Sequence, residues 1–287
     1  MIAETTVQAP GASLASHPLL RPASLNLFRL AAVITLIGGG IPAPNRITHA
    51  ADAVPAEQPA ALPRLAPSFR IETELFEGTQ TKPQSQHLLL FDGGVVYDLP
   101  MGTGTTITVF DPARSRVMLL HKIQRVRTSI STDALIQVSA QARSAAMTAG
   151  SARSLGLDAR VTKADVPDTY TIEFDGTKYA ATTQPALVDG VASEYAAFTV
   201  WACRLNIARH VGPPPFARMT LADFLAAENA LPRQIKLDVR RGLKTRTYRS
   251  ENLYVGRLSD LDRKRISEVG DMLASFSEVE FSAFPAD

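Results

Sequence analysis

Cys203 is the only cysteine in the 287-residue chain. A lone thiol has two fates: it attacks as a nucleophile when a histidine activates it, or it packs as a small hydrophobe. Trp201, Ala202 and Leu205 surround it with apolar side chains, which favours packing. A single cysteine also excludes an intrachain disulfide and a multi-cysteine metal site. Beyond the N-terminal region the histidines are His87, His121 and His210, and none has a second ligand four residues on, as a helical zinc site requires. Asp165 and Asp168 flank Pro167, a turn composition rather than an acid–base pair. "MGTGT" (101–105) lacks the third glycine of a dinucleotide loop, and no G-x-S-x-G nucleophile turn is present. No catalytic residue, metal ligand or cofactor site can be named from these groups. An enzyme therefore ranks behind two noncatalytic readings.

The remaining chemistry is charge. The chain carries 30 Lys+Arg against 28 Asp+Glu, a formal +2, so no global field selects nucleic acid or an anionic membrane. Locally the balance differs. Residues 233–265 hold eleven basic against four acidic residues, 11 − 4 = +7, and "HKIQRVR" (121–127) is basic too. Lys122, Arg125, Arg127, Lys236, Arg240 and Arg246 read either as a solvated sheet face or as a basic patch for an anionic headgroup or glycan surface. The stretch has few interleaved aromatics for stacking on bases, and no nucleic-acid partner is expected.

These groups must be positioned by an ordinary globular fold, because 45% hydrophobic and 20% charged residues are a globular balance. The most apolar run, "LFRLAAVITLIGGGIP" (27–42), precedes that fold. It is shorter than the roughly 20 residues of a spanning helix, and Ile41-Pro42-Ala43 stands where a phosphate loop needs lysine and a hydroxyl. Arg21 and Arg29, the apolar stretch and then Ala51-Asp52-Ala53 follow the layout of a secretory signal. Residues 1–53 are therefore expected to be an export leader, leaving no transmembrane anchor in the mature form. The mature protein is expected to be periplasmic or extracellular. Residues 54–68 are rich in Pro and Ala and read as a tether, and residues 69–287 as a single domain.

From Phe69 the pattern alternates. Period-two runs and the turn signals at Asp92-Gly93-Gly94 and Asp111-Pro112 predict about six antiparallel strands through Ser131. A helix over 132–149 follows, with an expected stripe of Leu135, Val138, Ala142 and Ala145. Next come a hairpin on Asp175-Gly176, a helix across Tyr195, Phe198, Ala202 and Leu205, and a loop at "HVGPPPFARM". "TLADFLAAENALP" predicts a short helix capped by Thr220 and stopped by Pro232. A strand pair turning near Gly242 precedes a helix whose Ser259 and Asp262 form a capping box, with Ile266, Val269, Leu273 and Phe276 as its buried stripe. A last strand, "EVEFSAF", is expected to close the sheet. The expected class is α+β: one curved antiparallel sheet, an open half-barrel, with helices packed on the concave face.

The stretch from "FDGG" (91–94) to "ITVFDPARSRVMLL" (107–120) resembles the turn-and-strand run of bacterial periplasmic lipoprotein-localisation carriers, and is similar to a group of uncharacterised exported bacterial proteins. The resemblance implies an open barrel of antiparallel strands with helices plugging the concave side. The chain departs from the carriers by an insertion around 192–232. Two noncatalytic readings follow. In one, a concave face built from Phe69, Ile71, Leu88, Leu90, Val109 and Leu119 holds a lipid or other apolar small molecule. In the other, the core is closed and the domain is structural or binds a partner. N-terminal sequencing of the protein recovered from its producing cells is expected to begin at Ala51 or Val54; a cytosolic chain with residues 1–50 intact contradicts the leader.

Overall fold

Alternating apolar residues from Phe69 onward build six consecutive antiparallel strands: β1 (Phe69–Glu77), β2 (Ser85–Asp92), β3 (Val95–Met101), β4 (Thr106–Asp111), β5 (Arg116–His121) and β6 (Val126–Ser131). The structure is a computed structural model that describes residues 66–186, 188–213 and 215–285. The expected export leader, and all of the tether but 66–68, lie outside the described residues.

Turn chemistry sets the first meander. Gly93 and Gly94 take positive φ (59° and 79°) in a two-residue turn that brings Asp92 opposite Val95. Between β4 and β5, Pro112–Arg114 forms a 3-10 turn, and the buried Asp111 carboxylate accepts from the Arg114 N–H at 3.3 Å.

The chain then leaves the sheet as α1 (Thr132–Thr148), capped by the Ser131 hydroxyl, which accepts from Ala134 N–H. It returns as β7 (Val161–Lys163), β8 (Thr169–Phe174) and β9 (Thr177–Pro185), the last two turning at Asp175-Gly176. Helices α2 (Val191–Arg209) and α3 (Pro215–Ala227) follow, then β10 (Ala230–Arg241), β11 (Lys244–Val255), α4 (Asp260–Ser275) and β12 (Ser277–Glu278).

The twelve strands among the described residues form one open sheet in the order β12-β6-β5-β4-β3-β2-β1-β11-β10-β9-β8-β7. Every pairing is antiparallel except β12 with β6. The two meanders join along β1 and β11, from Arg70 opposite Val255 to Glu77 opposite Tyr248.

Helices cover both faces. Phe69, Ile71, Leu89, Phe91, Val96, Phe110, Val117 and Leu119 point to one side, against Leu135 of α1 and Val191, Tyr195 and Leu205 of α2. Further along the same side, Ile172, Tyr179, Ile235 and Leu237 meet Ala217, Leu221 and Leu225 of α3. Leu88, Leu90, Leu99, Ile107, Val109, Met118 and Leu120 point the other way, against Val269 of α4 and Phe276 just beyond it.

Several expectations change. The six residues expected on one face divide three and three, Phe69, Ile71 and Leu119 lying under α1 and α2 and Leu88, Leu90 and Val109 under α4. The uninterrupted apolar run Leu88–Phe91 removes the alternation that would have fixed which residues share a face. The α1 stripe is Thr132, Leu135, Ser139 and Ala146, with Ala145 exposed. Helix α3 starts within the proline run, since Pro215 suits a first helical turn whose N–H needs no partner. Thr220 is inside that helix, its hydroxyl donating to Phe216 O at 3.2 Å. The helix ends before Asn229 (φ 50°), while Pro232 sits in β10 at a bulge. The last strand is two residues long, followed by a 3-10 turn at Phe281–Ala283.

The capping box is present and carries more than a cap. The fully buried Asp262 accepts from Ser259 N–H at 2.9 Å and Ser259 Oγ at 2.7 Å, and faces Arg70 of β1 at 3.4 Å and Arg265 at 3.5 Å. Burial pushes its carboxyl upward, but the Ser259 hydrogen bonds and Arg70 outweigh burial and hold it below its ordinary 3.8. Asp262→Ala is expected to lower unfolding stability by about 1–3 kcal/mol in urea denaturation. The carboxylate's contribution is full above 3.8 and is lost as pH falls through the lower native value. The stability gap between the parent and Asp262→Asn is therefore expected to be constant from neutral pH down to about 5 and to shrink in stronger acid.

Candidate functional site

Two concavities flank the β1–β11 seam, one on each face of the sheet. The larger, about 760 Å³, opens beside α4 and is lined by Arg70, Glu72, Glu74, Gln86, Arg233, Gln234, Glu251, Leu253, Leu261 and Arg265 among others. Many of its polar groups satisfy one another. Arg70 meets Glu72 at 2.5 Å, Gln86 donates to Glu74 at 2.6 Å, and Arg249 meets Glu251 at 3.0 Å. Such mutual pairing makes a solvated, internally neutralised surface.

The smaller, about 170 Å³, lies between the opposite face and helices α2 and α3. Antiparallel register builds its floor: Leu75 of β1 stands opposite Ser250 of β11, Ser250 opposite Ile235 of β10, Tyr248 opposite Leu237, and Leu237 opposite Tyr179 of β9. Cys203 and Asn206 of α2, Pro213, and Pro215 and Arg218 of α3 form the roof.

Here the polar groups are not satisfied. Tyr179 is 3% exposed, yet its hydroxyl has no hydrogen-bond partner, and neither do Tyr248 Oη and Arg218 Nη1. Buried donors without partners are rare in native proteins, so three around one small space set it apart from an ordinary packing defect. Arg218 is nonetheless oriented. Its Nη2 donates to Tyr195 Oη at 3.2 Å, the Tyr195 ring meets Tyr254 edge-on at 5.9 Å, and Tyr254 Oη donates to Pro232 O at 3.3 Å.

Titration follows from this setting. Burial holds the Tyr179 phenol well above its ordinary value, Cys203 adds to the rise, and the Arg218 charge opposes it. Burial likewise pushes the Cys203 thiol up to about 11 against the opposing pull of Arg218. At neutral pH both are uncharged, so the site offers neutral donors and one cation around an apolar space. A protonated buried thiol is a poor nucleophile.

The other singled-out residues are accounted for locally. His121 Nδ1 accepts from Gln124 N–H at 3.1 Å, which fixes the β5–β6 turn. His210 is the left-handed C-cap of α2 (φ 55°). His87 Nδ1 lies 2.6 Å from Asp98 Oδ1. Asp165 and Asp168 are exposed around the turn before β8. Among the described residues no group of three His, Cys, Asp or Glu is gathered for a metal, and no helix is long and apolar enough to cross a membrane.

None of the six apolar residues expected to line a ligand site borders the smaller pocket; Leu88 borders the larger one. The expected basic patch is two groups. Lys122, Arg125 and Arg127 lie on and beside β6, with Arg127 paired to Glu278 at 3.0 Å, whereas Lys236, Arg240 and Arg246 lie on the β10–β11 hairpin. Six strands separate β6 from β10. Sequence reasoning missed Tyr179, Tyr248 and Arg218. The one available signal was proline at a helix start, which would have set Arg218 in the first turn of α3.

No protein-family model and no curated protein matches this chain. Cys203→Ser is expected to leave ligand binding intact and to cost about 1–2 kcal/mol through a buried hydroxyl. Alkylation of Cys203 in the folded parent is expected to be slow at pH 7 and to accelerate as pH approaches 11 or as the protein unfolds. Rapid labelling of folded protein at pH 7 would restore the nucleophile reading.

Proposed function

We propose that the protein is an exported, noncatalytic binding or carrier protein for an apolar or lipid-like ligand. In this reading the sheet is an open half-barrel, α1, α2 and α3 lie in its hollow, and the ligand enters between the sheet and the α2–α3 pair. One observation carries the reading: the pocket of about 170 Å³ whose floor includes Leu75, Ile235 and Leu237 and whose roof includes Pro213 and Pro215. An apolar cavity of about 150 Å³ is enough to bind a benzene-sized molecule, so this one accepts a small apolar body or the end of a chain. The signal-like layout of residues 1–53 and the resemblance of the 91–120 stretch to lipoprotein-localisation carriers support the same reading.

Helix α1 supplies the means of admitting more. It has a single fully buried large side chain, Leu135, and leaves Ile136 and Met147 43% and 66% exposed. At about 25 cal/mol per Å² of apolar area, so thin a stripe anchors the helix weakly, and a modest ligand affinity offsets its displacement.

A second reading has its own support. Phe69 stacks on Phe91 at 4.1 Å, and Phe198 meets Phe91 and Phe110 edge-on at 5.8 and 5.2 Å, which fills much of the same face as a closed structural or partner-binding core would. Ligand uptake separates the two. The full chain is expected to carry a co-purified apolar ligand in native mass spectrometry, or to enhance the emission of a fluorescent fatty acid. Ser250→Leu, which fills the pocket, is expected to abolish both while far-UV circular dichroism stays unchanged. A parent protein that neither carries nor takes up any apolar ligand contradicts the binding reading and leaves the closed domain.

A further inference from the structure

We infer that the pocket beneath α2 and α3 receives the head group of an apolar monocarboxylate, held by the Arg218 guanidinium and the Tyr179 and Tyr248 hydroxyls. The inference rests on the binding reading above and names the chemical class of the ligand.

The lining decides the sign of the charge. Arg218 is the one charged side chain among the described residues that border the pocket; no acidic residue borders it. Its Nη2 is engaged by Tyr195 at 3.2 Å, so the guanidinium is held in place while Nη1, buried and without a partner, remains for another acceptor. Tyr179 and Tyr248 border the same space, and their hydroxyls are likewise buried and without partners. All three groups can donate. A carboxylate presents two acceptor oxygens with about four lone-pair directions, enough to take all three donors and to neutralise Arg218.

Competing chemistries fit less well. An ammonium head would meet a fixed cation. A neutral alcohol would leave Arg218 without a counter-charge in a partly desolvated site. A phosphate brings more charge than one guanidinium balances, into a space bounded by Leu75, Ile235 and Leu237. Those apolar walls suit the hydrocarbon body of the acid. Tyr179 stays protonated because burial raises its phenol, so it is available as a donor throughout the neutral range.

Each orphan donor is a burden on the empty protein that the occupied protein does not carry, and this separates a ligand role from a structural one. Tyr179→Phe removes a group that contacts nothing polar in the unliganded state. It is therefore expected to raise the Tm of the empty protein by about 2–4 °C, and to weaken carboxylate binding by about tenfold.

The test is isothermal titration calorimetry of the full chain at pH 7 with three probes of one chain length: octanoate, 1-octanol and octylammonium. The expected result is octanoate binding at least about tenfold tighter than octanol, with no detectable octylammonium binding. Arg218→Met is expected to bring octanoate and octanol to equal affinity. If that variant does not fold, Tyr179→Phe and Tyr248→Phe carry the test, each narrowing the gap between acid and alcohol. Equal binding of octanoate and octanol by the parent overturns the carboxylate assignment and leaves the binding reading standing. Binding of none of the three overturns both. A Tyr179→Phe protein that loses Tm assigns the hydroxyl a structural role and also overturns the assignment.

Discussion

The pairing of β1 with β11 is the constraint on which the rest depends. It joins residues separated by most of the described chain, with Arg70 opposite Val255 and Ile71 opposite Tyr254, and converts two meanders into one sheet. Closing so long a loop costs entropy that grows only slowly with length, and eight registered pairs with buried side chains beneath them offset it. Register matters as much as contact, because a slip of one residue would turn every side chain of the seam to the other face. In the observed register Leu75, Ser250 and Ile235 align across three strands, with Tyr248, Leu237 and Tyr179 in the next row, and the pocket floor is assembled from those rows.

The two faces of this sheet are held by different means. On one side α2 contributes Tyr195, Phe198 and Leu205 to an aromatic and aliphatic cluster centred on Phe91 and Phe110. On the other side α4 packs Val269, Ile266 and Leu273 over Leu88, Leu90 and Val109, and the buried Asp262 ties its first turn to Arg70 of β1. Helix α1 has no comparable anchor, since beyond Leu135 its buried positions are Thr132, Ser139 and Ala146. The stability of the helical layer is therefore uneven. The element with the smallest apolar contact is the one whose displacement costs least, and it packs against α2, which helps to roof the pocket.

The sequence was legible wherever local chemistry decides local structure. Asp92-Gly93-Gly94, Asp111-Pro112 and Asp175-Gly176 each produced the turn their backbone preferences demand, and Ser259 with Asp262 produced the cap. It was illegible where two local rules competed. Three successive prolines read as loop, yet Pro215 is compatible with a first helical turn, so the helix was expected only from Thr220 and the first turn of α3, with its Arg218, was left in the loop. The run Leu88 to Phe91 is apolar on both faces because helices cover both, which erased the alternation that assigns residues to a side. The pocket lay further from reach still. Leu75, Tyr179, Cys203, Arg218 and Tyr248 come from five separate elements, and long-range register together with helix packing brings them around one space.

The central claim is that the three unpartnered donors belong to a ligand. A crystal structure of the full chain grown with octanoate tests it most directly. The account predicts density for a carboxylate within hydrogen-bond distance of Arg218 Nη1 and the Tyr179 and Tyr248 hydroxyls, with its chain against Leu75, Ile235 and Leu237. Density for ordered waters alone, bridging those three groups in the presence of saturating octanoate, would contradict it.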